Sequence, residues 1–299
     1  MNFGRENLDW SPELWNRIDQ AVSAETMRTK VATKFLPHFE VASDALTVPA
    51  ETVKTNESTL IVDEAAVTPL IEIWVEFTLT PQQVEREVEL MTAVTLATRA
   101  ANILSEAEDI LLFRGDTAIE KHPLFQNGKV SFRSGPAGTG LLKDEFPFGD
   151  DQVIEVPAID AAEKRFGEKT FEAVAEGYSR LQSGYDGQTQ AHYGPYALVL
   201  HTIPYADTYA PLRSTLIMPA DRIAPLVPAG FHGTGTLPEL IGLLISLGGR
   251  TMDLVIGCDT TTAFMQEDPE GRYRFRVLER FALKLKDPTA IIKLRFKLD

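Results

Sequence analysis

The stretch from Thr80 to Gly115 constrains this chain more than any other part of it. Thr80-Pro81-Gln82-Gln83 has the form of a capping box, with threonine as the cap, proline in the first turn and glutamine three residues on. Behind it Val84, Val88, Met91, Val94, Ala97, Ala101, Leu104, Ala107 and Leu111 recur on one side of a helix. The spacing predicts a helix running to about Leu112, unusually long for a globular domain, with Gly115 as its stop.

A strand pattern closes the sequence. Phe281, Leu283 and Leu285 alternate with Arg280, Lys284 and Lys286, the period of two expected of a strand with one buried and one wet, cationic face. Asp287-Pro288 ends the run, because proline cannot donate to a ladder. At the other end, Ser11 and Pro12 cap and open an amphipathic helix over 11–29, and Trp10 with Trp15 has the spacing of a hydrophobic staple. The stripe of that helix is Leu14, Trp15, Ile18, Ala21 and Val22. From about Leu36 to Thr68 helical periodicity is lost and Val, Thr and Ser dominate. A segment of that length without a core of its own is expected to be an arm or loop that lies on something else. Residues 122–160 read as loops with small strands, Glu168 to Gln182 as a second helix, Tyr196 to Leu200 as a strand, and Leu237 to Leu247 as a short buried helix or a strand pair.

With 299 residues and 44% hydrophobic content, the chain has ample material for a packed core in one large domain or two modest ones. Cys258 is the single cysteine, which excludes an intrachain disulfide framework, and no charged-then-apolar segment precedes Asn7; the expected setting is a reducing cytoplasm. No apolar run approaches the ~20 residues of a membrane span. The net charge of -14 argues against non-specific nucleic-acid binding. That charge is uneven, since nine Lys or Arg lie between Arg272 and Asp299 against Glu279, Asp287 and Asp299. The cations fit a solvated, edge-protecting face of the last strands, or a strip that pairs with acidic surface on neighbouring subunits.

Catalytic and cofactor signatures are missing. Gly135 and Gly140 have the glycine spacing of a phosphate loop, but Leu141 stands where its lysine belongs. His38, His122, His192, His201 and His232 form no metal-ligand spacing, and Cys258 reads as a small core residue rather than a nucleophile. No pair of carboxylates stands out as acid and base. No catalytic, cofactor or metal residue is therefore predicted. Long elements, an extended arm and no convergent polar cluster describe an assembly protein better than an enzyme.

Five segments, in this order, resemble the encapsulins, shell proteins that share the fold of tailed-phage major capsid proteins. They are Thr68-Pro-Leu-Ile-Glu-Ile-Trp-Val-Glu-Phe-Thr-Leu79, Glu106-Ala-Glu-Asp-Ile-Leu-Leu-Phe-Arg-Gly115, Tyr193-Gly-Pro-Tyr-Ala-Leu-Val-Leu200, Met252-Asp-Leu-Val-Ile-Gly-Cys-Asp259 and the closing run from Phe275 to Ile292. The resemblance implies an α+β, capsid-like fold. Its parts would be an N-terminal helix and arm over 1–38, an extended loop over 39–70, a discontinuous peripheral domain over 71–150 and 256–299, and an axial domain over 151–255. It further implies a homo-oligomeric icosahedral shell around a cargo enzyme, such as a ferritin-like protein, a dye-decolourising peroxidase or a hemerythrin, held by a targeting tail. By the same resemblance the tail docks beside the first helix, with Ile18, Val22 and Ala21 as candidate groove residues. Some relatives bind a flavin through a tryptophan after the Phe-Thr-Leu strand; Gln82 stands there, so no flavin is expected. A tailed-phage capsid protein is the alternative. The early amphipathic helix in place of a long scaffold segment, together with the acidic balance, favours the encapsulin reading. A hydrolase or a secreted bacteriocin is disfavoured, because this sequence shows neither a nucleophile constellation nor a signal segment.

Overall fold

The computed structural model describes residues 3–56, 59–115, 117–133, 140–142, 148–184, 190–212 and 216–298. In chain order the elements are α1 (Pro12–Thr29), β1 (His38–Glu40), β2 (Thr47–Asn56), β3 (Thr59–Pro69), β4 (Ile71–Leu79), α2 (Pro81–Glu85), α3 (Glu87–Leu90) and α4 (Thr92–Arg114). Next come α5 (Thr117–Lys121), α6 (Pro123–Gln126), β5 (Ser131–Arg133), β6 (Val153–Pro157), α7 (Glu168–Ser183), β7 (Tyr196–His201), α8 (Thr202–Asp207) and α9 (Pro219–Ile223). The last are β8 (Gly230–Thr234), β9 (Ile241–Ser246), β10 (Met252–Glu267), β11 (Tyr273–Leu285) and β12 (Ile291–Lys297). The glycine-spaced loop expected to fail as a phosphate site lies mostly outside the described residues.

Two five-stranded sheets organise the chain, in the orders β1-β10-β11-β4-β5 and β6-β12-β9-β7-β8. One face of the first sheet carries α4, over β4 and β11, and α1, which packs on α4 and β10. Its core runs through Ala97, Ala101, Leu104, Ala107, Phe113, Phe275 and Val277, and continues onto one face of the second sheet at Val199, Leu243 and Ile291. The other face of the second sheet closes under α7 with Val174, Leu181, Leu198, Leu244 and Phe296. This is a mixed helix-and-sheet, α+β architecture.

The long helix is interrupted near its start. Pro81–Glu85, Glu87–Leu90 and Thr92–Arg114 are separate, with Met91 left-handed at φ 51°. The fully buried Glu87 carboxylate accepts the Ala93 backbone N–H at 2.9 Å, so a side chain from the preceding turn caps the main helix where continuous helical bonds were expected. The capping box at Thr80 forms, with Thr80 N donating to Gln83 Oε1 at 2.8 Å, but it opens only a short first turn.

The segment read as an arm is a two-stranded hairpin of β2 and β3. Its base packs on the sheet face opposite the helices, where Val48, Leu70, Val255 and Ala282 form a small core of their own. Leu60, Ile61 and Val62 further out, and Val67 next to the base, are exposed. Residues 291–297, grouped with the long helix in the sequence reading, pair instead with β6 and β9 in the second sheet.

The cationic face of β11 is another correction. Arg280 pairs with Glu72 at 2.6 Å, Lys284 with Glu51 at 2.7 Å, and Lys286 with Asp253 at 2.5 Å. Lys284 and Lys286 are buried under the hairpin base rather than solvated, and their counter-charges come from distant stretches of the same chain.

Candidate functional site

The surface around α1 was expected to hold a docking groove. Ser11 caps the helix, its Oγ accepting from Leu14 N, and Trp10 and Trp15 meet with ring centroids 5.0 Å apart. Trp10 stacks in turn on Phe275, and Phe275 on Phe77, which fixes the helix to β11 and β4. That docking buries the stripe except for Ala21. Ile18 is 0% and Val22 1% exposed, both packed into the core against α4 and β10, and Ala21 is half-buried. Ile18 and Val22 therefore cannot meet a bound tail directly; the same periodicity that marked them as a stripe turns them to the protein's own core.

An open cavity of about 270 Å³ lies one turn further along, between the C-terminal end of α1 and strands β10 and β11. Met27, 76% exposed, Ile256 and Phe281 supply its apolar wall, and Cys258, Asp259 and Arg280 lie along the strands. Its floor is a buried ionic cluster. Lys30 Nζ lies 2.5 Å from a carboxylate oxygen of Glu108 and 2.5 Å from one of Glu279, and Thr260 Oγ1 donates to Glu279 at 2.6 Å. Next to it the buried Asp109 carboxylate accepts the backbone N–H groups of Val31, at 2.9 Å, and Ala32, also at 2.9 Å. The cluster pins the end of α1 to α4 and β11.

Burial sets the charge in this cluster. It pushes Glu108 up to about 8, reinforced by the Glu279 carboxylate and opposed by Lys30. Asp109 is pushed up to about 6 by burial, against the two backbone N–H groups that favour its ionised form. Burial disfavours the ammonium of Lys30, but the two carboxylates more than compensate and raise it above its ordinary value. At neutral pH Lys30 is charged, and burial holds Glu108 toward its protonated form.

Nothing in the groove is arranged for covalent chemistry. Cys258, half-buried rather than in the core, donates to the carbonyl of Asp259 at 3.4 Å, and burial pushes its thiol up, toward the protonated form. The histidines serve local structure: His122 and His201 accept from backbone N–H groups at helix starts, His192 Nε2 bonds Thr289 Oγ1 at 2.8 Å, and His232 stacks on Phe35. Among the described residues no group of three His, Cys, Asp or Glu is placed to hold a metal, and no helix is long and apolar enough to cross a membrane. A second cavity of about 450 Å³, lined by Ile159, Arg165, Leu212, Ile217 and Arg222, lies beside α7 and α9.

The Lys30 cluster was not singled out in the sequence, although a signal for it exists. Glu108 falls on the apolar stripe of the long helix, four residues after Leu104, and an acid in that place needs a buried partner.

The chain thus combines a long helix across a sheet and a projecting hairpin with a groove that has no catalytic constellation among the described residues. The family profile described as "Encapsulating protein for peroxidase" matches residues 1–129 and 154–282. The chain belongs to the encapsulin shell-protein family. Among encapsulin relatives, the type 1 encapsulin shell protein EncA of Myxococcus xanthus is 24% identical over 94% of this chain and 92% of its own length. The diheme-cytochrome-encapsulin shell fusion protein of Kuenenia stuttgartiensis is 24% identical over 96% of this chain and 74% of its own. The virus-like particle from Pyrococcus furiosus superposes with a TM-score of 0.66 at 15% identity, over 94% of this chain and 99% of that one. The capsid of Myoviridae phage XM1 follows the same fold with a TM-score of 0.59 at 14% identity, over 90% and 92% of the two chains. The phage alternative is a relative in fold alone, whereas the encapsulins match in sequence along the chain. The chain is an encapsulin shell protomer.

Proposed function

We propose that this protomer closes into an icosahedral shell around a cargo enzyme of the iron-handling or oxidative-stress type, and that the shell itself does no chemistry. The observation that carries assembly is the β2–β3 hairpin, which exposes Leu60, Ile61, Val62 and Val67 with no cover in its own chain. Heterologous contacts that close by rotation would cover such an arm on every copy. In this reading the sheet under α4 is the peripheral domain, and the sheet under α7, with β12 added to it, is the axial domain. The cargo's tail lies in the groove of Met27, Ile256 and Phe281 rather than on Ile18 and Val22, and the compartment is cytoplasmic. Support for the groove is its apolar wall at the exposed end of α1, beside a pinned helix that keeps its shape.

The test is direct. Purified protein is expected to elute at megadalton size and to appear in negative stain as hollow, roughly spherical particles, with a co-purifying enzyme identified by mass spectrometry. A monomer or dimer that persists at high concentration and neutral pH would end the shell reading.

A further inference from the structure

The cavity of about 450 Å³ beside α7 and α9 is left without a role by the shell reading. One wall is the loop between β6 and α7, which folds back on itself: Arg165 N donates to the Asp160 carbonyl and Ile159 N to the Arg165 carbonyl, both at 2.8 Å. The other wall is the connection from α8 to α9, where Leu212 N donates to the Ile217 carbonyl at 3.3 Å. Asp207 ties the two walls together, its Oδ2 accepting Phe166 N and Gly167 N at 2.7 Å each and its Oδ1 accepting Arg165 Nε at 3.3 Å. The cavity is therefore shaped by bonds within the chain, and its size falls in the ~300–1,000 Å³ usual for a small-molecule site.

Its lining has two characters. Ile159, Leu212 and Ile217 form an apolar side, with Ile159 and Ile217 exposed in the protomer. Arg165 and Arg222 form a cationic side, and the guanidinium of Arg222 is held 3.8 Å over the Phe171 ring. Each arginine gives one N–H to an acid, Nε of Arg165 to Asp207 and Nη1 of Arg222 to Glu168. Their other guanidinium N–H groups have no acceptor among the described residues. The carboxylates of the lining are already engaged, Glu168 with Arg222 and Asp160 through Oδ1 with the Glu163 N–H at 3.1 Å. The 16-residue α7 begins at the cavity with Gly167 as its N-cap and no side-chain cap, so its positive end adds to the two arginines. The lining thus offers donors beside aliphatic surface. We propose that this cavity binds a small amphipathic carboxylate, its head on the free N–H groups of Arg165 and Arg222 and its chain along Ile159, Leu212 and Ile217. A planar carboxylate accepts paired N–H bonds from a guanidinium, a match that a cationic head cannot make. The site lies within one chain, so the inference goes beyond the shell reading and is tested apart from it.

Calorimetric titration of the full-length protein with decanoate, decylammonium and acetate tests the site. Decanoate is expected to bind once per chain with a dissociation constant below ~1 mM. Decylammonium, with the wrong head, and acetate, with no chain, are each expected to bind at least ~10-fold more weakly. Arg222→Gln removes one guanidinium at a position 40% exposed and should weaken decanoate by ~10-fold. Ala210→Phe, which fills the cavity from the side of the α8–α9 connection, should abolish binding and keeps the test open if Arg222→Gln does not fold. Circular dichroism of each variant checks that the protomer is folded. The proposal is overturned if decanoate does not bind, if acetate or decylammonium binds as tightly, or if a folded Arg222→Gln or Ala210→Phe variant binds decanoate like the parent.

Discussion

Replacing Lys30 by methionine keeps most of the stem while removing the one cation that lies between Glu108 and Glu279. Taking one partner from a buried pair leaves an uncompensated charge, so Lys30→Met is expected to cost ~3–5 kcal/mol in thermal unfolding, and adding Glu279→Gln should recover part of it. The same cluster gives stability a pH dependence. Glu108 at about 8 and Asp109 at about 6 bind their protons more tightly folded than unfolded, so their contribution is complete below about pH 4. It is lost as pH rises through about 6 for Asp109 and about 8 for Glu108, while Lys30, also raised, stays charged across this window. The protomer should therefore melt at a lower temperature at pH 9 than at pH 5. Glu108→Gln should flatten the upper part of that slope; an unchanged slope would show that Glu108 does not titrate there. At the groove, burial separates two substitutions that look alike in sequence. Ile18→Asp puts a charge into the core and is expected to unfold or aggregate the protomer, whereas Met27→Asp, at an exposed position, should leave shells intact and lower cargo occupancy measured by densitometry.

Elements defined by local chemistry were legible, and those defined by distant partners were not. Ser11-Pro12 and Thr80-Pro81 announce helix starts because a cap uses neighbouring residues, and Glu168 to Gln182 follows from its own periodicity. The break at Met91 was hidden, because a left-handed residue there depends on the Glu87 carboxylate turning back to cap Ala93. Period-two alternation found β11 but could not say that Glu51, Glu72 and Asp253 would neutralise its cations, since those acids come from three other strands. For α1 it gave the stripe and not which part of the helix surface stays open, so it favoured Ile18 and Val22 over Met27. The hairpin was visible as a stretch without a core, and its prediction belongs at this scale. Removing residues 50–58, two of which lie outside the described residues, should block or alter closure seen in negative stain while circular dichroism of the protomer stays nearly unchanged. Normal shells from that deletion would mean the hairpin is not an interface element.

At the scale of the whole molecule the backbone passes from the first sheet to the second, returns for β10 and β11, and crosses once more to lay down β12. That last strand does not sit at an edge. It enters between β6 and β9, parallel to one and antiparallel to the other, and supplies Ile292, Leu294 and Phe296 to the core under α7. During synthesis β6 leaves the ribosome roughly 130 residues before its neighbour exists, and at 5–20 residues per second it waits several seconds with an unpaired edge. A polypeptide that has β6 to β9 but lacks β12 has a second sheet split in two and a core under α7 without Ile292, Leu294 and Phe296. A protomer that lacks β12 is therefore expected to fail in the second sheet while the first, complete without it, can still form.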